Sequence, residues 1–217
     1  MRIVDLSHTI EAGMVTYPGL PGPVICDFLS RERSRQIYAP GYEFQIGSIE
    51  MVGNTGTYLD TPFHRFAEGE DLSAVDISRV AELDAVTIDA TGRTTVDVYA
   101  FEAVGVEGRA VLVRTGWDVH WRTEDYLTGH PFLTAAAATH LAERGAALVG
   151  IDSLNIDDTS TGERPVHTIL LGAGIPIVEH LTGLGELPAT GFRFTATPPK
   201  VAGMGTFPVR AFAVIDE

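Results

Sequence analysis

The chain has 217 residues and a mass of 23.3 kDa, with 45% hydrophobic and 20% charged residues, which is enough for one domain with a sizeable core, marginal for two, and too apolar for a disordered chain. Its 15 Lys+Arg against 29 Asp+Glu give a formal net charge of −14, so neither nucleic acid nor an anionic membrane surface is an expected partner. No apolar run reaches the roughly 18 residues of a membrane span. The N-terminus Met1-Arg2-Ile3-Val4-Asp5 has no signal core, and Cys26 is the only cysteine, which excludes an intrachain disulfide and a Cys-rich zinc site. These features lead to the expectation of one cytoplasmic domain over residues 1–217.

In chain order, strands are expected at 2–6, 44–52 and 85–88, each rich in Val, Ile, Phe or Ala. A short helix is expected at 96–104, with Thr95 as its cap and Gly105 after it. A strand follows at 110–114, then a helix at 134–145 that Thr134 can cap and Gly145 can stop. The unbroken apolar runs at 111–113 and 148–151 point to strands covered on both faces. After the strand at 147–151, a helix at 165–171 starts with Pro at its first turn. Strands at 175–178, 192–196 and 209–215 complete the list. Many strands and few helices predict an α+β class, a mixed β/α arrangement with a largely β core and flanking helices.

Several catalytic engines are missing. There is no P-loop, no G-x-S-x-G elbow and no H-E-x-x-H, and Lys200 is the only lysine. What remains is a set of His, Asp and Glu. The segment Gly53-Asn54-Thr55-Gly56-Thr57-Tyr58-Leu59-Asp60-Thr61-Pro62-Phe63-His64 follows a strand-like run. Asp60 and His64, four residues apart, either converge on one ion or substrate or belong to a capped loop with a surface histidine. His167 stands near the expected helix start. Glu179 ends an apolar strand, where a carboxylate is costly unless paired or metal-bound; the alternative is a strand-end glutamate in solvent. His140 is expected on a helix surface and His130 in a loop. His8, His120 and His180 either line a pocket or are structural.

Three segments together resemble the metal-dependent cyclase and bacterial kynurenine formamidase family, which also includes isatin hydrolase. They are Asp5-Leu6-Ser7-His8-Thr9-Ile10 with Tyr17-Pro18-Gly19, the Asn54–His64 turn against the family's H-x-G-T-H-x-D-x-P-x-H, and His167 with Leu170-Leu171 and Glu179. The resemblance spans nearly the whole chain. It implies a swivelling β/β/α domain, a homodimer or higher homo-oligomer, and hydrolysis of small amides or lactams by metal-activated water. Two of the family's metal-binding histidines fall on Asn54 and Tyr58, both poor ligands. The resemblance therefore implies one divalent ion, zinc or manganese, held by Asp60, His167 and Glu179, or none. His64 would be the acid/base, and Tyr17, Asn54, Tyr58 and Trp117 would contact substrate. The leading expectation is a mononuclear metal-dependent hydrolase of a small amide, lactam or related cyclic substrate. The alternatives are a cyclase or dehydratase of secondary metabolism on the same scaffold, or a non-catalytic small-molecule binding homologue without metal.

Overall fold

The computed structural model describes residues 1–216. Its elements are, in order, β1 (Arg2–Asp5), β2 (Val24–Leu29), α1 (Arg31–Ser34), β3 (Ile46–Glu50), β4 (Tyr58–Asp60), β5 (Leu83–Asp89), β6 (Thr95–Val96), β7 (Ala110–Arg114), β8 (Phe132–Leu133), α2 (Ala135–Glu143), β9 (Leu148–Ile151), α3 (Pro165–Gly172), β10 (Ile177–Glu179), β11 (Phe192–Thr195), β12 (Thr206–Pro208) and β13 (Phe212–Ile215). Nine strands make one mixed sheet in the order β1-β13-β11-β5-β7-β9-β10-β4-β12. The centre, β5-β7-β9-β10, is parallel, and both wings are antiparallel. The class is the expected one, a largely β core with flanking helices.

The apolar runs sit where both sheet faces are covered. Along β7, Val111 and Val113 belong to one buried cluster and Ala110 and Leu112 to the other. The first cluster takes in α2 through Ala137, Ala138 and Leu141 and α3 through Val166, Leu170 and Leu171. Each fully buried Leu, Ile or Val contributes roughly 1.5–3 kcal/mol. The helix at 134–145 forms as expected: the Thr134 side chain accepts from the Ala137 N–H, and Gly145 takes φ +73° after the last turn.

The helix expected at 96–104 does not form. Thr95–Val96 pairs with β8 instead, and a 3₁₀ turn over Val98–Ala100 follows, capped by Asp97 rather than Thr95. β-branched Thr95, Val96 and Val98 favour extended backbone. The Asp97 carboxylate accepts from the Val98 N–H and from the Thr134 hydroxyl, which competes with helix formation.

β2 and β3 stand apart as an antiparallel ribbon. Both of its faces are open: Val24, Ile25, Phe28, Ile46 and Ile49 are exposed, as are Ile37, Tyr42 and Phe44 in the connection. Among the described residues, no helix is long and apolar enough to cross a membrane.

Candidate metal and substrate site

Register assembles the first part of the site. β4 lies between β10 and β12, with Tyr58 opposite Glu179 and Pro208, and Asp60 opposite Ile177 and Thr206. Residues directly opposite one another share a face, and residues two apart on a strand do so too. Tyr58, Asp60, Glu179 and Thr206 therefore point the same way, while Leu59 and Val178 enter the core on the other side. Residues 58–60, expected within a turn, thus form a short strand one place in from the sheet edge. Glu179 is buried, not a strand end in solvent.

α3 covers that face and delivers His167. No side chain of Arg164 caps the helix; buried Asp157 does so instead. One of its oxygens accepts from Val166 N–H at 2.7 Å, and the other from His167 N–H at 3.0 Å. That second oxygen also takes the His167 Nδ1–H, at 2.6 Å, which orients the ring and aims Nε2 at Asp60 Oδ2 (3.7 Å) and Glu179 Oε1 (3.6 Å). Both gaps are too long for hydrogen bonds. Burial alone would lower the His167 pKa, but the charge of Glu179, the hydrogen bond to Asp157 and the nearby Asp60 carboxylate outweigh it and raise the imidazole to about 10. Burial pushes Glu179 up to about 7, opposed by the charge of His167 and reinforced by that of Asp60.

His64 closes the 3₁₀ turn Pro62–His64. The Thr206 hydroxyl donates to Asp60 Oδ1, so its oxygen accepts from His64 Nδ1, 2.8 Å away. Nε2 of His64 is left with the lone pair. The turn can lie this close because residue 205 is glycine: a Cβ there would meet the His64 backbone nitrogen at 2.2 Å.

A second chain of contacts approaches Glu179 from the opposite side. The buried Tyr58 hydroxyl donates to Glu179 Oε2 at 2.6 Å. Its oxygen then accepts from His180 Nε2–H at 3.3 Å, and His180 Nδ1 accepts from the Tyr126 hydroxyl at 2.8 Å. Burial, then the charges of Glu179 and Asp60, keep the Tyr58 phenol neutral, with its pKa well above 10. Burial holds His180 down to about 3, again neutral.

These groups open on a cavity of about 290 Å³. Tyr17, Leu20, Asn54 and Tyr58 form part of its wall; His64, Arg65, Asn155, Arg164, His167 and Glu179 form the rest. Of the residues expected at the site, Asp60, His64, His167 and Glu179 converge, and Tyr17, Asn54 and Tyr58 line the cavity. Trp117 is elsewhere, donating its indole N–H to the Tyr126 carbonyl and packing on His120. Asp157, Thr206 and Tyr126 join the site without having been singled out for it; His180, expected either to line a pocket or to be structural, reaches it through the Tyr58 hydroxyl. Asp157 had one signal, an acid eight residues ahead of a Pro-started helix. Thr206 had none, since only the register of β12 brings it to Asp60.

The residues fit a divalent ion. Asp60 Oδ2 is buried with no hydrogen-bond partner, which costs free energy unless something else meets it. One ligand atom each from Asp60, His64 and His167 lies within 4.8 Å of the others, and His167 has the carboxylate on its far nitrogen that metal-bound histidines usually carry. The donor set of imidazole and carboxylate suits zinc or manganese.

The family model described as "Putative cyclase" matches residues 4–158. The chain belongs to the cyclase family. This cyclase-family chain is 27% identical over 209 residues to the kynurenine formamidase of Bacillus cereus, covering 96% of this chain and 95% of that protein. The kynurenine formamidase of Bacillus cytotoxicus is also 27% identical, over 212 residues, with 96% and 95% covered. In fold it is similar to isatin hydrolase A from Labrenzia aggregata, with TM-score 0.83 at 24% identity and 100% and 94% of the two chains covered.

Proposed function

We propose that this chain is a metal-dependent hydrolase of a small amide, lactam or related cyclic substrate, working with one divalent ion. The orphaned Asp60 Oδ2 facing His167 Nε2 is the observation that carries the reading, and the similarity to kynurenine formamidases supports the reaction class. Asp60 and His167 would hold the ion together with Glu179, whose Oε1 lies 3.6 Å from His167 Nε2, while His64, the third member of the cluster with Asp60 and His167, keeps its Nε2 for proton transfer. When bound, the ion supplies Lewis acidity to a carbonyl oxygen and makes water more acidic.

The chain's own residues do the rest. The lone pair on His64 Nε2 takes a proton from water and returns it to the departing nitrogen. Thr206 holds that tautomer in place. Asn54 and the ring of Tyr58 contact substrate, while the Tyr58 proton is committed to Glu179. A second ion has no private ligands, because Asn54 and Tyr58 stand where the family motif has histidines. The neutral buried phenol favours one other reading, a cyclase or dehydratase that uses Tyr58 for proton transfer.

Metal analysis tests the assignment. Purified, metal-replete protein should hold about one zinc or manganese per chain. Glu179→Gln and His167→Ala should each lose it while circular dichroism stays unchanged, and His64→Ala should keep it. Two tightly held ions per chain, or none, would sink the mononuclear site. A screen of amides, lactams, lactones and formamides with Mn²⁺ and Zn²⁺ in turn identifies the substrate.

We further propose that two copies or more associate through the β2–β3 ribbon and that the protein works in the cytoplasm. An isolated two-stranded ribbon is marginal in water, and a second copy would cover its open apolar faces. Light scattering should give a species of at least twice 23.3 kDa; a monomer at micromolar concentration refutes it.

A further inference from the structure

Cations are scarce in this chain, and two of them meet at one cavity. Arg65 directly follows the turn that carries His64, and Arg164 directly precedes α3, which carries His167. Both line the cavity. Arg2, Arg35, Arg79, Arg114, Arg122, Arg193 and Arg210 are each paired with a carboxylate. Among the described residues, Arg65 and Arg164 form no ion pair, and neither do Arg31, Arg33, Arg93, Arg109 and Arg144; of these seven, Arg65 and Arg164 are the two that line this cavity.

Neutral groups hold both guanidinium ions in place instead. Arg65 donates Nε–H to the Thr168 hydroxyl at 3.2 Å and lies 5.3 Å over the Phe66 ring. Arg164 commits Nη1 to the carbonyl oxygens of Asp158, Thr161 and Glu163, at 3.3, 2.8 and 2.6 Å. No carboxylate lies within ion-pair distance of either, although the Arg164 charge helps to lower the nearby Asp158 carboxyl, and each keeps donors free of protein acceptors. A protein of net charge −14 repels anions at long range, and two oriented guanidiniums at a concave site reverse that locally. The planar fork of arginine matches a carboxylate in two parallel hydrogen bonds.

We propose that the cavity takes a small substrate bearing a carboxylate, held by Arg65 and Arg164 while its amide or lactam group lies toward His64 and His167. The proposal rests on the hydrolase reading of this cavity and narrows it to anionic substrates. At about 290 Å³ the space is at the lower edge of the roughly 300–1,000 Å³ usual for small-molecule sites, which suits a single ring with one charged arm.

Calorimetric titration of the full chain, stripped of metal with EDTA, separates the anion subsite from the ion site. Benzoate is the probe and benzamide its neutral isostere. Wild type should bind benzoate at least about tenfold more tightly than benzamide, and Arg65→Gln and Arg164→Gln should each weaken benzoate by roughly 10- to 100-fold without changing benzamide. Arg65→Gln gives up only the Thr168 contact and the Phe66 stack at the surface, so it carries the test even where Arg164→Gln disturbs its loop. Equal benzoate affinity in wild type and Arg65→Gln, benzamide binding as tightly as benzoate, or no benzoate binding at millimolar concentration overturns the proposal. Mn²⁺ uptake by the same proteins is a separate arm. A wild type that takes up no Mn²⁺ refutes the hydrolase reading, whereas Arg65→Gln that loads Mn²⁺ normally but loses benzoate supports an anion subsite distinct from the ion site.

Discussion

A histidine nitrogen offers a lone pair to an ion; the hydroxyl of Tyr58 offers a proton to a carboxylate. That exchange changes the role of the neighbouring Glu179, whose two oxygens receive the Tyr58 O–H and the Ile156 N–H. The phenol is itself held by His180, which adopts φ +56° to reach it. Tyr58→Phe keeps the ring but strands Glu179 and His180 without their shared partner. It should lower stability in urea by about 1.5–3 kcal/mol, the usual worth of a hydrogen bond to a charged group. A loss below a few tenths of a kcal/mol would mean that the hydroxyl is not engaged. Restoring both histidines, Asn54→His with Tyr58→His, should raise the metal content from about one to about two ions per chain. Elemental analysis that still finds one would show that the scaffold around Asp60 no longer accepts a second.

Elements position these side chains, and α3 does the most. Asp157 caps the helix and orients His167 with one carboxylate, so helix start and ring orientation are a single event. Asp157→Asn retains shape but weakens both functions. It should reduce Mn²⁺ affinity by roughly 10- to 100-fold, as removal of such a partner usually does, with a smaller loss in helix stability of about 1 kcal/mol. Unchanged Mn²⁺ affinity would detach Asp157 from the ion site.

How far the elements could be read from the residues follows from their chemistry. The apolar runs of β7 and β9, the capped helix α2 and the Pro-started α3 were legible, because their signals are local. β4 and β12 were not: three residues each, bounded by Gly, Pro and Thr, they become strands only because β10 offers β4 a partner and β4 in turn offers one to β12. The 96–104 segment misled because a cap-like Thr and a following Gly outweighed its β-branched residues. At the site, Asp60, His64, His167 and Glu179 could be picked out by type and by family likeness. Thr206, Tyr126 and His180 enter through register and packing, which no spacing in the chain encodes.

At the scale of the whole molecule, burial of neutral histidines makes the fold sensitive to acid. His8 stacks on Trp121 with ring centroids 4.0 Å apart. Burial lowers its pKa from 6.5 to about 4, against the charge of Asp118. Between those values the unfolded chain binds more protons than the folded one, so stability falls as pH drops through that window and levels off below it. The contribution is up to about 1.4 kcal/mol per pH unit. His8→Phe keeps the stack and removes the titration, so its urea midpoint should fall less steeply than wild type between pH 6.5 and 4. Parallel slopes would show that His8 is protonated in the fold.

The sheet also dictates when the site comes into being. Asp60 and Glu179 lie on neighbouring strands, yet Glu179 leaves the ribosome roughly 120 positions later, a delay of about 6–24 s at the usual pace of synthesis. β4 cannot be framed on either side until β10 and then β12 have emerged. A nascent chain therefore displays Asp60 and His64 as a bare pair, too few donors to hold an ion. An ion at the proposed site would therefore enter only after β10 has paired with β4, through the cavity that His167 and Glu179 line.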